Sequence, residues 1–225
     1  MNRQKTLLGR ANRYVYPIWA RGDLRGSSSA EERAERLFQM LLPSPIETLD
    51  ISPAPAIWGR FLRETTNTLQ VAVASPRNWL VHAPDARIAA HLIQSHIVEV
   101  LCAIGRPQIE YYFLSIGEPL SEAQLSGALE ALEIARQEGQ VRSLGLAVAG
   151  NPLSVLALWR THDAFEVVLL PDAPETTETL LPEARARRAG VILQSDSTPP
   201  TALPQGVQVV LTHIEQAVQW AGGTD

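Results

Sequence analysis

The chain has 225 residues, 45% of them hydrophobic, with 19 Lys+Arg against 24 Asp+Glu and a formal net charge of −5. This balance supports a sizeable core and argues against a non-specific nucleic-acid binder. A lone cysteine, Cys102, excludes an internal disulfide and fits a reducing cytoplasm, and the basic opening MNRQKTLLGRANRY lacks the apolar run of a signal peptide.

In chain order, apolar strand-like runs fall at 15–19, 46–49, 69–74, 109–114, 143–147, 165–170, 190–193 and 207–211. They are short, β-branched and apolar on both faces, as strands of a parallel sheet covered by helices must be. Helices are predicted between them from their caps. Ser29 with Glu32, Ser121 with Gln124, and Thr212 with Glu215 have capping-box spacing. Leu125, Leu129, Leu132 and Ala135 form one apolar face, opposite Glu130, Glu133 and Gln137. Gly139 is placed to end that helix, and Asn151-Pro152 to cap and open the next. The Ser-, Thr- and Pro-rich stretch 195–205 reads as a loop in place of a seventh helix. No run of about 18 apolar residues reads as a membrane span.

Eight strands alternating with helices close most simply as one (β/α)8 TIM barrel over residues 1–225, with an open doubly wound sheet as the alternative. The barrel requires Ile18, Leu49, Val73, Phe113, Leu146 and Val168 to lie on neighbouring parallel strands. It also carries a puzzle. The stretch EGQVRSLGLAVAGNP leaves its strand on Ala147, Val148, Ala149 and Gly150, bare of reactive groups where α/β proteins place their chemistry.

That stretch resembles the helix-four-to-strand-five signature of the aldo-keto reductases. LLGRANRYVYPIWARGD resembles their opening hairpin and first strand, LDISPAPAIWGRFLRE the segment after strand two, IGRPQIEYYFLSI the segment ending strand four, and RRAGVILQSDS strand seven. The resemblance implies a compact barrel that reduces carbonyls with a hydride from NADPH, using an aspartate, a tyrosine proton donor, a lysine and a histidine. The lysine's charge brings the tyrosine into a useful pKa range. Carried onto this chain, the aspartate is Asp50. The tyrosine position falls on Trp58, whose indole cannot act as an acid at neutral pH. The lysine falls on Ser75 or Pro76, and the histidine on Ser115.

The family's cofactor contacts fall on Ala147-Val148 and Leu169. VVLTHIEQAVQW runs from the last strand almost directly into a helix, without the Gly-rich basic loop that clasps the adenosine phosphate. Thr212 and His213, at that helix N-terminus, remain as candidates for a cofactor phosphate. Asp50 is equally suited to binding backbone amides at a strand end, and Trp58 to packing near the barrel mouth.

The remaining polar residues allow more than one reading. His96 and Glu99 share a helical face but lack a third metal ligand, and His91 points elsewhere, so no metal site is expected. Cys102 reads as a buried apolar residue, and Arg185, Arg187 and Arg188 as a solvated helix end. Arg21, Asp23, Arg77, Glu118, Asp172 and Asp196 all fall just past strand ends and would converge on one face of a barrel.

The expectation is a cytoplasmic, catalytically degenerate aldo-keto reductase-like barrel with a binding or regulatory role. Its partner would be a small molecule or a protein, not nucleic acid or membrane, and NADP binding would be weak or absent. A working NAD(P)H-dependent oxidoreductase with displaced site residues is the alternative. Acid–base chemistry by the charged mouth, as in a hydrolase or lyase, is a third class.

Overall fold

The eight doubly apolar runs become eight parallel strands, and the sheet closes on itself. The computed structural model describes residues 4–25, 29–65, 69–196 and 203–222. A short antiparallel hairpin, β1 (Thr6–Leu7) and β2 (Tyr14–Val15), precedes the barrel strands β3 (Ile18–Arg21), β4 (Thr48–Asp50), β5 (Gln70–Ala74) and β6 (Ile109–Ile116). Then follow β7 (Val141–Val148), β8 (Val167–Pro171), β9 (Gly190–Gln194) and β10 (Val209–His213). β10 pairs with β3, Val210 opposite Ile18, so the open sheet is excluded. Ile18, Leu49, Val73, Phe113, Leu146 and Val168 lie on the consecutive strands β3 to β8.

The helices are α1 (Ala30–Leu41), α2 (Pro55–Glu64), α3 (Ala86–Ile104), α4 (Glu122–Gln137), α5 (Pro152–Thr161), α6 (Pro174–Ala186) and α7 (Ile214–Gly222). Each follows one barrel strand in turn, except after β9. There Ser195, Asp196 and 203–208 carry no helix, and 197–202 of the expected loop lie outside the described residues.

The predicted caps hold at three helices. Ser29 accepts the Glu32 N–H, Ser121 and Gln124 form a reciprocal capping box, and Asn151 accepts from Leu153 and Ser154. The Thr212–Glu215 box does not form. Thr212 belongs to β10 and its hydroxyl donates to Gln216 Oε1 at 2.6 Å, while Glu215 pairs with Arg33 at 3.0 Å.

The first predicted strand is divided at Tyr16-Pro17. Val15 ends the hairpin and Ile18 begins the barrel, because proline supplies no N–H to a ladder. Cys102 corrects another expectation: it is exposed. Ile93, Ile97, Val100 and Ile104 take the buried stripe of α3, and Cys102 lies off that stripe. This 19-residue helix, with mean hydropathy 1.3, is apolar enough by length and composition to cross a membrane. In the barrel it is one member of the helical ring, against α2 and α4.

The barrel interior holds Trp19, Ala72, Tyr111, Phe113, Val167, Leu169, Ile192, Val209 and Leu211, with Leu8 and Val15 of the hairpin region packed against them. The Trp19 and Tyr111 rings lie 4.6 Å apart, and the Arg13 guanidinium sits 5.8 Å from the Tyr111 ring. Burial pushes the Tyr111 hydroxyl up to about 12, so it stays a phenol.

Candidate functional site

The C-terminal ends of the strands open on a cavity of about 640 Å³. Its floor and rim include Arg21, Asp50, Ser52, Ser75 and Ser115. It continues outward between Pro55 and Ala56 of α2 and His96, Glu99 and Val100 of α3. The volume suits a small organic ligand.

Asp50 ends β4 and is buried. Its Oδ1 accepts the Ser52 N–H at 2.9 Å and the Ser52 hydroxyl, and Ser52 Oγ accepts the Ala74 N–H at 2.8 Å. Asp50 therefore binds a backbone amide, as a strand-end aspartate was expected to do, and ties β4 to β5 through a serine. Burial raises its pKa above the ordinary carboxylate value, against the Ser52 hydrogen bonds and the Arg21 charge.

Trp58 does not reach the cavity. It sits on the inner face of α2, fully buried, and donates its Nε1–H to the Gly22 carbonyl at 2.7 Å. Ser75 and Ser115 do line the cavity. Ser75 Oγ accepts the Ser115 N–H at 3.0 Å, so of the two positions matched to the lysine, Ser75 and Pro76, the first is a hydroxyl engaged with backbone. Pro76, Ala147, Val148 and Leu169 also line it and supply only alkyl groups from their side chains.

Thr212 is fully buried. His213 Nε2 lies 3.2 Å from Arg21 Nη2 and 3.3 Å from Asp196 Oδ1. His213 is followed directly by Ile214 of α7, with no intervening loop.

Of the six charged residues expected to converge, four share the mouth. Arg21 Nη2 reaches both Asp196 oxygens, at 3.0 and 3.2 Å, and lies 3.8 Å from Asp23, while Arg77 lines the cavity beside it. Asp23 is engaged by Arg25, whose hydrogen bonds hold its pKa below the usual value. Glu118 instead accepts from Asn78 at 2.9 Å, and Asp172 from the Ser195 hydroxyl at 2.6 Å. The Arg185–Arg188 run is more than a solvated end. Arg187 bonds Glu183 at 2.7 Å and Asp163 at 2.9 Å, and Arg185 donates to the Gln205 carbonyl at 2.7 Å.

His96 is the residue that helical spacing placed without a role. It is nearly buried, lines the cavity, and lies 2.8 Å through Nδ1 from the Tyr112 hydroxyl. Burial lowers its pKa, with Glu99 opposing. Among the described residues no group of three His, Cys, Asp or Glu side chains is placed to hold a metal ion.

No protein-family model and no curated protein matches this sequence. Solved structures do match in fold. The aldo-keto reductase AKR11C1 from Bacillus halodurans aligns in its holo form with a TM-score of 0.75 at 16% identity, covering 100% of this chain and 92% of that one. Its apo form gives 0.72. The glycerol dehydrogenase AKR11B4 from Gluconobacter oxydans gives 0.66 at 16% identity, covering 91% of this chain and 70% of that chain. The chain has the aldo-keto reductase barrel fold.

Proposed function

We propose that this barrel binds a small molecule in its mouth and does not reduce it with NADPH. The observation that carries the reading is the placement of Trp58. The side chain matched to the family's proton donor is turned out of the cavity and its only N–H is spent on Gly22. The resemblance puts the lysine position on Ser75 or Pro76 and the histidine position on Ser115, none of which offers an ammonium group to acidify a donor.

NADP does not fit the residues present. Ala147, Val148 and Leu169 offer a nicotinamide amide no side-chain hydrogen bond, and Thr212 and His213 are engaged by Gln216, Arg21 and Asp196. Loss of a charged phosphate clamp removes about 2–5 kcal/mol, roughly 30- to several-thousand-fold in affinity. Cytoplasm is the compartment we assign, where the exposed Cys102 thiol stays reduced.

One observation favours the second reading, an oxidoreductase with displaced residues. Asp50 and His96 line the same cavity, and a carboxyl with a raised pKa can serve as an acid. Titrating NADPH against tryptophan fluorescence separates the two. No saturation in the low micromolar range is expected, and saturable quenching there contradicts the proposal.

A further inference from the structure

Arg21 is a buried cation at the mouth with donors to spare. It is 7% exposed; its Nε is sealed from solvent without a hydrogen-bond partner, while its Nη1, also without a partner among the described residues, is not sealed and is the donor a ligand can reach. Asp196, Asp23 and His213 all engage or approach Nη2, so the guanidinium is held in place with capacity to spare. A buried guanidinium with an unused N–H is costly unless a ligand or water completes it. It lines the cavity, and Arg77 adds a second cationic side chain at the rim.

The other polar groups facing this space include both donors and acceptors. Tyr112 is fully buried, and its hydroxyl meets only His96 Nδ1 among the described residues. One arrangement leaves no buried proton without an acceptor: the Tyr112 O–H donates to Nδ1, which puts the imidazole proton on Nε2. Ser75 Oγ already accepts the Ser115 N–H, which leaves its own O–H as a donor. Two acids also face the cavity, Asp50 and Glu99. Asp50 Oδ1 is taken up by Ser52. Between these groups the walls are proline, alanine and valine from α2, α3 and the strand ends.

We propose that the cavity takes a carboxylic acid with an apolar body, its carboxylate on Arg21 with Arg77 at the rim, and its body in the apolar passage between α2 and α3. This rests on the ligand-binding reading above and deepens it. Arginine recognises a carboxylate by charge-assisted hydrogen bonds that a neutral amide of the same shape cannot match. His96 Nε2–H, on the α3 side, is a donor for an acceptor atom further along the ligand.

The test uses isothermal titration of the full chain with octanoate and 4-phenylbutanoate, each against its neutral amide. The acids are expected to bind at least tenfold more tightly than the amides. Arg21→Met is expected to erase that preference while amide binding persists. Should Arg21→Met fail to fold, Arg77→Gln is expected to reduce the acid preference several-fold, and the acid–amide comparison in the unaltered protein stands without any variant. Amides binding as tightly as acids, or neither class binding, overturns the proposal. Turnover of NADPH with carbonyl substrates would instead overturn the non-reducing reading, and leaves the acid preference to be judged by the same titration.

Discussion

The Trp58 indole and the Gly22 carbonyl form one buried hydrogen bond of 2.7 Å that fixes α2 to the exit of β3. A Cβ at residue 22 would overlap the indole ring, so the pair requires glycine there. Gly22→Ala should therefore destabilise the protein by about 1–3 kcal/mol through overpacking. Trp58→Phe should cost about 1–3 kcal/mol by leaving a buried carbonyl unpaired. Chemical denaturation reads both. Neutral effects would mean the indole is not held as described.

Trp58→Tyr tests the chemical side of the same contact. The phenol would lie on the inner face of α2, away from the cavity, and no lysine stands at Ser75 or Pro76 to lower its pKa. No gain in NADPH-dependent carbonyl reduction is expected. General acids typically contribute about 10²–10⁴-fold, so a phenol that did act from the cavity would be plain in such an assay.

Asp50 sets a pH dependence. Burial raises its pKa in the fold, so its ionised form opposes folding. That penalty is complete above the raised pKa and disappears as pH falls towards the unfolded value of 3.8. Asp50→Asn keeps an oxygen for Ser52 and removes the charge. It should raise the unfolding free energy at pH 7 by roughly 0.5–2 kcal/mol, and the gain should vanish near pH 4. Denaturation at the two pH values checks the sign.

Arg188 ends α6 in the left-handed conformation, φ 55°, where Gly139 ends α4 at φ 74°. The two ends share a bonding pattern: Ala189 N–H reaches Ala184 O and Gln140 N–H reaches Ala135 O, both at 2.9 Å. Arg188→Gly should stabilise by about 0.5–1 kcal/mol, because glycine adopts this conformation without a Cβ penalty. Loss of stability would show that the Arg188 side chain contributes packing the backbone does not reveal.

The barrel was legible because its strands are apolar on both faces and its helices begin on Ser29, Ser121 and Asn151, signals that act within a few residues. Thr212 failed as a cap because its neighbours continue β10, and a strand residue has its backbone committed before any helix begins. Cys102 was misplaced because a lone small residue in an apolar helix carries little directional information, whereas the stripe of Ile93, Ile97, Val100 and Ile104 decides which face is inside. At the site, Asp50 and Ser115 were placed through the resemblance to the aldo-keto reductases, and both line the mouth. The direction of Trp58 was not, since it depends on how closely α2 approaches Gly22. The Tyr112–His96 contact joins residues sixteen apart, from a strand and the helix before it, and no local pattern encodes it.

The central proposal is that this barrel, of aldo-keto reductase fold, does not carry out NADPH-dependent carbonyl reduction. The most direct measurement is NADPH oxidation by the purified full chain over a broad panel of aldehydes and ketones. No turnover above the protein-free rate is predicted. Saturable turnover that survives Trp58→Phe and is abolished by Asp50→Asn would contradict the account and place a working acid on Asp50.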